Sequence, residues 1–422
     1  MSNQSSKSPR HPGDEMSPNP YCEAEPYQLR IWDQTALAGL MHCPRYHYLA
    51  QIRGLRAGGD TESVDLKFGS FIHEAADVYA KARGAGADCE LATEFAVEHA
   101  LSATWPEDGQ PWGGSYRTVW QCPDRTRAKK ATKSAPAEKR CTWSKAEHLV
   151  SVVPGLEQVD GVPGTLRECP ECGKGARSRV AYIPTDKYKN RHTLLRSVVA
   201  MCDALSNSNI RPKVLADGRI GSEVRWLREL KVQSPDGTPY IMTGSFDGIE
   251  QLGEDETILK EIKTTKREPN QSFFTGLTTG VQVYTYSWAA DCEFPEDHPE
   301  VWFLVVQIGT NFTEIIFKPA HFTKAQYAEW ENEIGFWVSF AEDLAHAAKE
   351  LEDRGQNPQA AFPRNLTACS SMPGASTTPC PFRDFCRLDP RNREGFLRTN
   401  FKVERWNPLG TKGTELTPAD SA

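Results

Sequence analysis

Gly244-Ser245-Phe246-Asp247-Gly248-Ile249-Glu250, a short loop, then Ile258-Leu259-Lys260-Glu261-Ile262-Lys263 is the stretch around which the chain is organised. It reads as two strands joined by a turn, with Asp247 late on the first and Glu261 and Lys263 on the second. Side chains two apart on a strand share a face, so Glu261 and Lys263 point one way and Lys260 and Ile262 the other. Two carboxylates converging beside an ammonium suit a divalent metal and an activated water. An exposed hairpin with a salt bridge gives the same short pattern, so the rest of the chain decides.

The strands around this stretch form a meander. Glu223–Leu230 and Tyr240–Leu252 flank an Asp236-Gly237 turn, and Ile258–Thr264 follows. Asp247 and Glu261 are thereby delivered side by side. Upstream, Phe68, Phe71, Ile72, Ala75 and Tyr79 keep helical spacing over residues 68–83, with His73 beside the apolar stripe. A histidine there is either a satisfied core residue or one that reaches over the sheet to a metal. Downstream, residues 280–290 predict a helix carrying Gln282 and Tyr286. Val301–Ile308 predicts a buried strand, paired with Phe312–Phe317. Thr323 and Gln326 form a capping-box start to a helix reaching about Arg354. Arg191–Leu205 predicts another helix. Near the N-terminus, Thr35 is the expected cap of a helix through Leu37, Leu40 and Met41 that Pro44 breaks.

With 422 residues the chain is long enough for two or three units, or for one core with a large insertion. Its hydrophobic fraction of 39% suffices for a packed core. A net charge of −7 excludes a globally basic nucleic-acid coat, so nucleic-acid binding would need local basic patches and metal ions. No apolar run reaches the roughly 18 residues of a membrane span, so no membrane association is expected. The first 25 residues are polar and carry no apolar signal core, which predicts a disordered tail and a cytoplasmic chain. In that compartment the 12 cysteines are candidates for metal ligation rather than disulfides.

From about residue 100 to 184 periodicity fades and Gly, Pro, Lys and Arg rise. Residues 124–140 carry seven basic side chains against two acidic ones, Asp124 and Glu138. This reads as an insertion. Cys169-Pro-Glu-Cys172-Gly is typical of a zinc knuckle, with Cys122 and Cys141 completing four thiolates and His148 as a substitute ligand. Plain thiols or a redox pair are the alternatives. The basic run is either a solvated loop or a contact for a DNA backbone. At the other end, Cys369, Cys380 and Cys386 lie in a loop-like region and need something to fold around.

Taken in order, these segments resemble the RecB-like branch of the PD-(D/E)XK nuclease superfamily. The nearest resemblance is to iron–sulfur exonucleases related to CRISPR-associated and AddB-type nucleases, many of them from phages. Cys43-Pro44-Arg45-Tyr46 resembles the family's first cluster ligand, and Gly69-Ser-Phe-Ile-His73-Glu74 its histidine helix. Gly244-Ser-Phe-Asp247-Gly resembles the motif of the first acidic ligand, Glu261-Ile-Lys263-Thr the D/E-x-K motif, and Gln282-x-x-x-Tyr286 the Q-x-x-x-Y helix. The tail cysteines resemble the remaining cluster ligands. Two departures stand out: Phe246 replaces proline before Asp247, and the spacing from Cys369 to Cys380 is long.

The resemblance implies an α/β fold: a restriction-endonuclease-like core with a central mixed β-sheet flanked by helices, a Cys-containing insertion and an iron–sulfur-stapled C-terminal loop. Residues 1–26 would be a tail and 27–100 the N-terminal helical part of the core. The insertion would be 101–190, the catalytic sheet 191–360, the cluster-binding region 361–400 and a second tail 401–422. The implied activity is metal-dependent DNA hydrolysis, as an exonuclease on single strands or duplex ends, with a recombination or helicase partner, in a bacterial or phage-infected cell. His73, Asp247, Glu261 and the backbone carbonyl of Ile262 would hold Mg²⁺ or Mn²⁺. Lys263 would orient or help deprotonate the water. Gln282 and Tyr286 would position DNA or orient Lys263. Glu223 would stand behind the ligands, or be a plain surface-strand glutamate. Cys43, Cys369, Cys380 and Cys386 would hold a [4Fe–4S] cluster of structural role; zinc is the rival reading. A non-catalytic DNA-binding protein of the same fold and a zinc-dependent interaction protein are the competing functions.

Overall fold

The computed structural model describes residues 27–57, 63–105, 112–121, 144–149, 177–254, 256–295, 297–370, 379–404, 407–409 and 414–415. The expected N-terminal tail and Cys122, Cys141, Cys169 and Cys172 lie outside the described residues.

The chain begins with β1 (Ile31–Asp33), α1 (Gln34–His42) and α2 (Pro44–His47). Asp33, rather than Thr35, caps α1, its Oδ1 accepting the Ala36 N–H at 2.7 Å. The cap falls there because Asp33 is the last residue of β1 to pair with β8, so the chain must turn at that point. The break before Pro44 is as the sequence predicts: Cys43 is extended and proline occupies the first turn of α2. A wide turn over Tyr48–Ile52 leads to β2 (Leu55–Ala57). Then come α3 (Val64–Gly84), which carries His73, and α4 (Cys89–Ala103).

The segment read as an insertion contains a three-stranded antiparallel sheet: β3 (Gly114–Gln121), β4 (Ser144–Leu149) and β5 (Arg177–Pro184), in the order β4-β3-β5. Tyr116, Thr118, Val119 and Trp120 give β3 ordinary strand chemistry, masked by the charged stretches around it. α5 (Arg191–Ser206) follows, then β6 (Ile210–Pro212), β7 (Ser222–Gln233), β8 (Pro239–Leu252) and β9 (Glu256–Thr265). After α6 (Gln271–Thr278) and α7 (Val281–Glu293) come β10 (Glu300–Ile308), β11 (Thr313–Ala320) and α8 (Lys324–Asp353), whose capping box of Thr323 and Gln326 forms as read.

The central sheet is mixed. Its order is β11-β10-β9-β8-β7-β13, with β1 and β6 also pairing with β8. β9 and β10 are parallel, so the chain crosses over through α6 and α7. Two apolar layers cover the two faces. Leu259 packs into one with Trp226, Phe246, Tyr286 and Trp330; Ile262 packs into the other with Phe68, Ile72, Val198 and Met201. This alternation on β9 puts Glu261 and Lys263 on the α7 side, as the period of two requires. On the opposite face Lys260 and Glu250 form a buried ion pair. Gly248 makes room for it: a Cβ there would lie 2.8 Å from Glu250 Oε1 and 2.9 Å from Lys260 Cε.

The C-terminal region is less loop-like than its composition suggests. α9 (Arg383–Arg387) and α10 (Arg393–Asn400) follow two short 3₁₀ turns, and β12 (Phe401–Val403) pairs with β2. β13 (Thr414–Glu415) adds in parallel to β7. The tail expected over 401–422 therefore contains residues paired to the body of the protein. Main-chain groups that find strand partners leave less to gain from water.

Candidate metal centre and a four-thiol pocket

The site lies where β8 and β9 part. Ser222 pairs with Gly248 and Val224 with Phe246, which sets Glu223 across from Asp247. Glu223 adopts φ of 49°, an uncommon conformation for a residue with a side chain. It leaves the regular ladder on the side of His73. His73 Nδ1 lies 3.2 Å from Asp247 Oδ1 and 4.0 Å from Glu223 Oε1. Among the described residues, ligand atoms of His73, Glu223 and Asp247 form a group within 4.8 Å of one another. One imidazole and two carboxylates are a fitting donor set for Mn²⁺ or Mg²⁺. Glu223 thus joins His73 and Asp247 in a group of atoms that could hold a metal ion. The sequence set it only behind the ligands or on the strand surface, because its nearness to His73 depends on the register of β7 against β8.

Asp247 is further fixed by the Ile262 N–H, which donates to Oδ2 at 2.8 Å. Glu261 is turned the other way. Its Oε1 accepts from Lys263 Nζ at 2.5 Å and from Gln282 Nε2 at 2.9 Å, while Lys263 Nζ also donates to Gln282 Oε1 at 2.8 Å. The Gln282 amide can sit only one way round, since an ammonium offers donors alone and a carboxylate accepts. His73, Glu223, Asp247, Glu261, Lys263 and Gln282 are therefore gathered in one place. Tyr286 stands one turn along α7 from Gln282.

The charges are strongly interdependent. Burial pushes the Glu261 carboxyl up and Asp247's charge adds to it; even with Lys263 beside it, it reaches about 7. Burial would lower the His73 imidazole, but Asp247, with Glu261 and Glu223, lifts it to about 9. Asp247 stays below the usual carboxylate range because His73 and Lys263 outweigh its burial. Lys263 is raised for the converse reason: Glu261 and Asp247 overcome desolvation. Two cationic side chains, His73 and Lys263, thus offset the crowded carboxylates.

A second feature lies at the far end of α1. Cys43, Cys369, Cys380 and Cys386 line one pocket, together with Arg45, Arg364 and Asn365. All four are free thiols. Cys43 Sγ accepts the Asn365 N–H at 3.3 Å, and Asn365 Nδ2 donates to His42 O at 2.9 Å. Arg45 Nε donates to Phe362 O at 2.8 Å, and Arg364 Nη1 to Cys386 O, also at 2.8 Å. The N-terminal helices are thereby stapled to the C-terminal region. Burial, with the neighbouring thiols, pushes Cys380 up to about 11. No set of three of these sulfurs falls within 4.8 Å among the described residues.

With this geometry in place, comparison with known proteins bears on the family. The PD-(D/E)XK nuclease superfamily model matches residues 32–162. The match takes in α1 to α4, His73 included, and stops short of Asp247, Glu261 and Lys263. Proteins of that superfamily are generally hydrolytic nucleases that use Mg²⁺ or Mn²⁺, and the match suggests a nuclease. The mixed α/β sheet agrees with a restriction-endonuclease-like core. Among solved structures, one titled "Crystal structure of SSO0001" is similar at 18% identity over 34% of this chain and 59% of that one. The chain thus spans somewhat over half of that protein's length. At a TM-score of 0.21 this likeness carries no argument. No curated protein matches. No helix among the described residues is long and apolar enough to cross a membrane.

Proposed function

We propose that this chain is a divalent-metal-dependent deoxyribonuclease of RecB-like type, acting as an exonuclease on single strands or duplex ends. The observation that carries the reading is the grouping of His73, Glu223 and Asp247 beside a Glu261–Lys263 pair that Gln282 clasps. A divalent cation held by His73, Asp247 and Glu223 or Glu261 would polarise the scissile phosphate and lower the pKa of a bound water. Lys263 contributes its own chemistry. Two of its ammonium N–H groups are directed to Glu261 and Gln282, leaving the third for a water or a phosphate oxygen. That donor offsets charge as it develops on the phosphate. Buried Glu261, clasped by Lys263 and Gln282, holds the ammonium in place.

The four thiols suit a [4Fe–4S] cluster better than one zinc ion. A tetrahedral zinc site with bonds of about 2.3 Å holds its sulfurs about 3.8 Å apart, closer than any three of these stand. The cluster's role would be to staple residues 27–100 to 361–400.

The test is digestion of end-labelled DNA in Mn²⁺. Glu261→Ala and Lys263→Ala should each abolish product formation while thermal melting and DNA binding persist. Cleavage surviving in either variant refutes the mechanism; binding without cleavage by the unaltered protein in any divalent metal refutes the nuclease.

A further inference from the structure

Gln34 is the first residue of α1 and lies 252 residues from Tyr286, yet its Nε2 donates to Tyr286 Oη at 3.2 Å. The other amide atom, Oε1, is buried without a partner among the described residues. Tyr286 itself is fixed as a ring. Trp226 and Phe246 meet it edge-on, at 6.4 and 6.0 Å between centroids. Gln282 stands one turn earlier on the same face of α7, which makes its side chain a neighbour of that hydroxyl. Gln282 clasps Lys263 and Glu261 from the same helix face, four residues earlier. A line of contacts therefore runs from the start of α1 to the ammonium and carboxylate of the site. Nothing in the spacing around residue 34 signals this, since the partner sits on the far side of the chain.

We propose that Gln34 is a positioning residue: by holding the Tyr286 hydroxyl it fixes Gln282, and through Gln282 the orientation of the Glu261–Lys263 pair. The proposal rests on the nuclease reading for its kinetic consequence, and on geometry alone for its structural one. Long flexible side chains such as lysine lose rotamer freedom when clasped, and a clasp whose own rotamer is fixed holds them to a narrower range. Removing the far support leaves Gln282 in place but free to swing. His73, Glu223 and Asp247 lie outside this line of contacts, and Lys263 acts on charge that develops on the phosphate, so KM should change less than kcat.

The experiment uses the full chain with Gln34→Met, Tyr286→Phe and the double variant. Methionine and phenylalanine keep the volumes, and thermal melting checks the fold of each. Steady-state digestion of labelled DNA in Mn²⁺ should show kcat reduced about tenfold in each single variant, the effect of about one hydrogen bond, with KM within twofold. The double variant should be no slower than either single one, because both remove the same link. Independently of turnover, the Gln282 side-chain amide resonances in a ¹H–¹⁵N spectrum should move in Gln34→Met and move to the same place in the double variant. An unshifted Gln282 amide in Gln34→Met, or kcat losses that multiply, overturns the proposal. Failure of the unaltered protein to cleave DNA counts against the nuclease reading alone, since the Gln282 resonance decides the link in either case.

Discussion

Replacing Glu223 by glutamine should leave the metal-free protein almost as stable as before and weaken its hold on Mn²⁺. The magnitudes come from the distances. Glu223 stands 4.0 Å from His73 Nδ1, and its ligand oxygen lies within 4.8 Å of that of Asp247. At an effective dielectric of about 20, attraction to a protonated imidazole at that range is about 4 kcal/mol and repulsion from Asp247 about 3.5 kcal/mol. Removing the charge loses the first and relieves the second. The two nearly cancel, and partial exposure of Glu223 shrinks both. Glutamine also keeps the shape of the side chain, so the backbone at φ of 49° is no more strained than before. Melting without metal should therefore shift by no more than about 2 °C. Metal binding has no such cancellation, because an anionic ligand is lost outright. Calorimetric titration with Mn²⁺ should give a Kd at least tenfold weaker, corresponding to about 1.4 kcal/mol. At a Mn²⁺ concentration of about 100 times the original Kd, the stabilisation of about 2.7 kcal/mol should fall to about 1.4 kcal/mol. An unchanged Kd would place Glu223 outside the metal site. A metal-free variant destabilised by several kcal/mol would show that the charge balance has been misjudged.

Three further outcomes can be checked. His47 is fully buried, stacked on Trp32 at 5.2 Å, and burial lowers its imidazole from the usual 6.5 to about 4. It is neutral when folded, so its contribution is present above pH 6.5 and is lost as pH falls toward 4, by up to about 3 kcal/mol; urea melts of His47→Phe over that range should show a flatter acid limb. Glu250→Gln should cost about 3–5 kcal/mol by stranding buried Lys260, while a double variant with Lys260→Met should recover most of it in the same melts. After anaerobic purification the unaltered chain should carry iron and a broad visible absorption band, and Cys43→Ser or Cys386→Ser should lose both; a colourless protein with one zinc per chain would favour the rival reading.

What could be read from the sequence follows from how local each cause is. The meander, the histidine helix and the capping box at Thr323 and Gln326 are set by neighbours within a few residues, and their patterns are visible. Asp247, Glu261 and Lys263 could be placed together because the period of a strand is fixed. Glu223 could be placed only behind them, since its approach to His73 needs the β7–β8 register and a backbone turned to positive φ. Gln34 was hidden for a similar reason: its partner is remote in sequence, and Asp33 and Thr35 on either side of it are equally able caps. The three-stranded sheet was hidden by composition, its strands being short segments between charged stretches. Four cysteines of widely different sequence position could be assigned to one pocket only through the resemblance they carried.

The entry and exit of that three-stranded sheet are tied to each other. Thr185 N–H donates to Gly113 O and Trp112 N–H to Thr104 O, both at 2.8 Å, and β3 and β5 run paired from Gly114 with Pro184 to Gln121 with Arg177. The chain leaves the core between α4 and α5 and returns beside the point where it left. The core therefore sees this whole segment as one closed stem, much as it would see a short hairpin. Such a stem can be exchanged, shortened or lengthened without moving α4 against α5, because the cost of closing a loop scarcely depends on what lies beyond the closure. The frame that carries the Glu261–Lys263 pair thus meets this segment at one closed point.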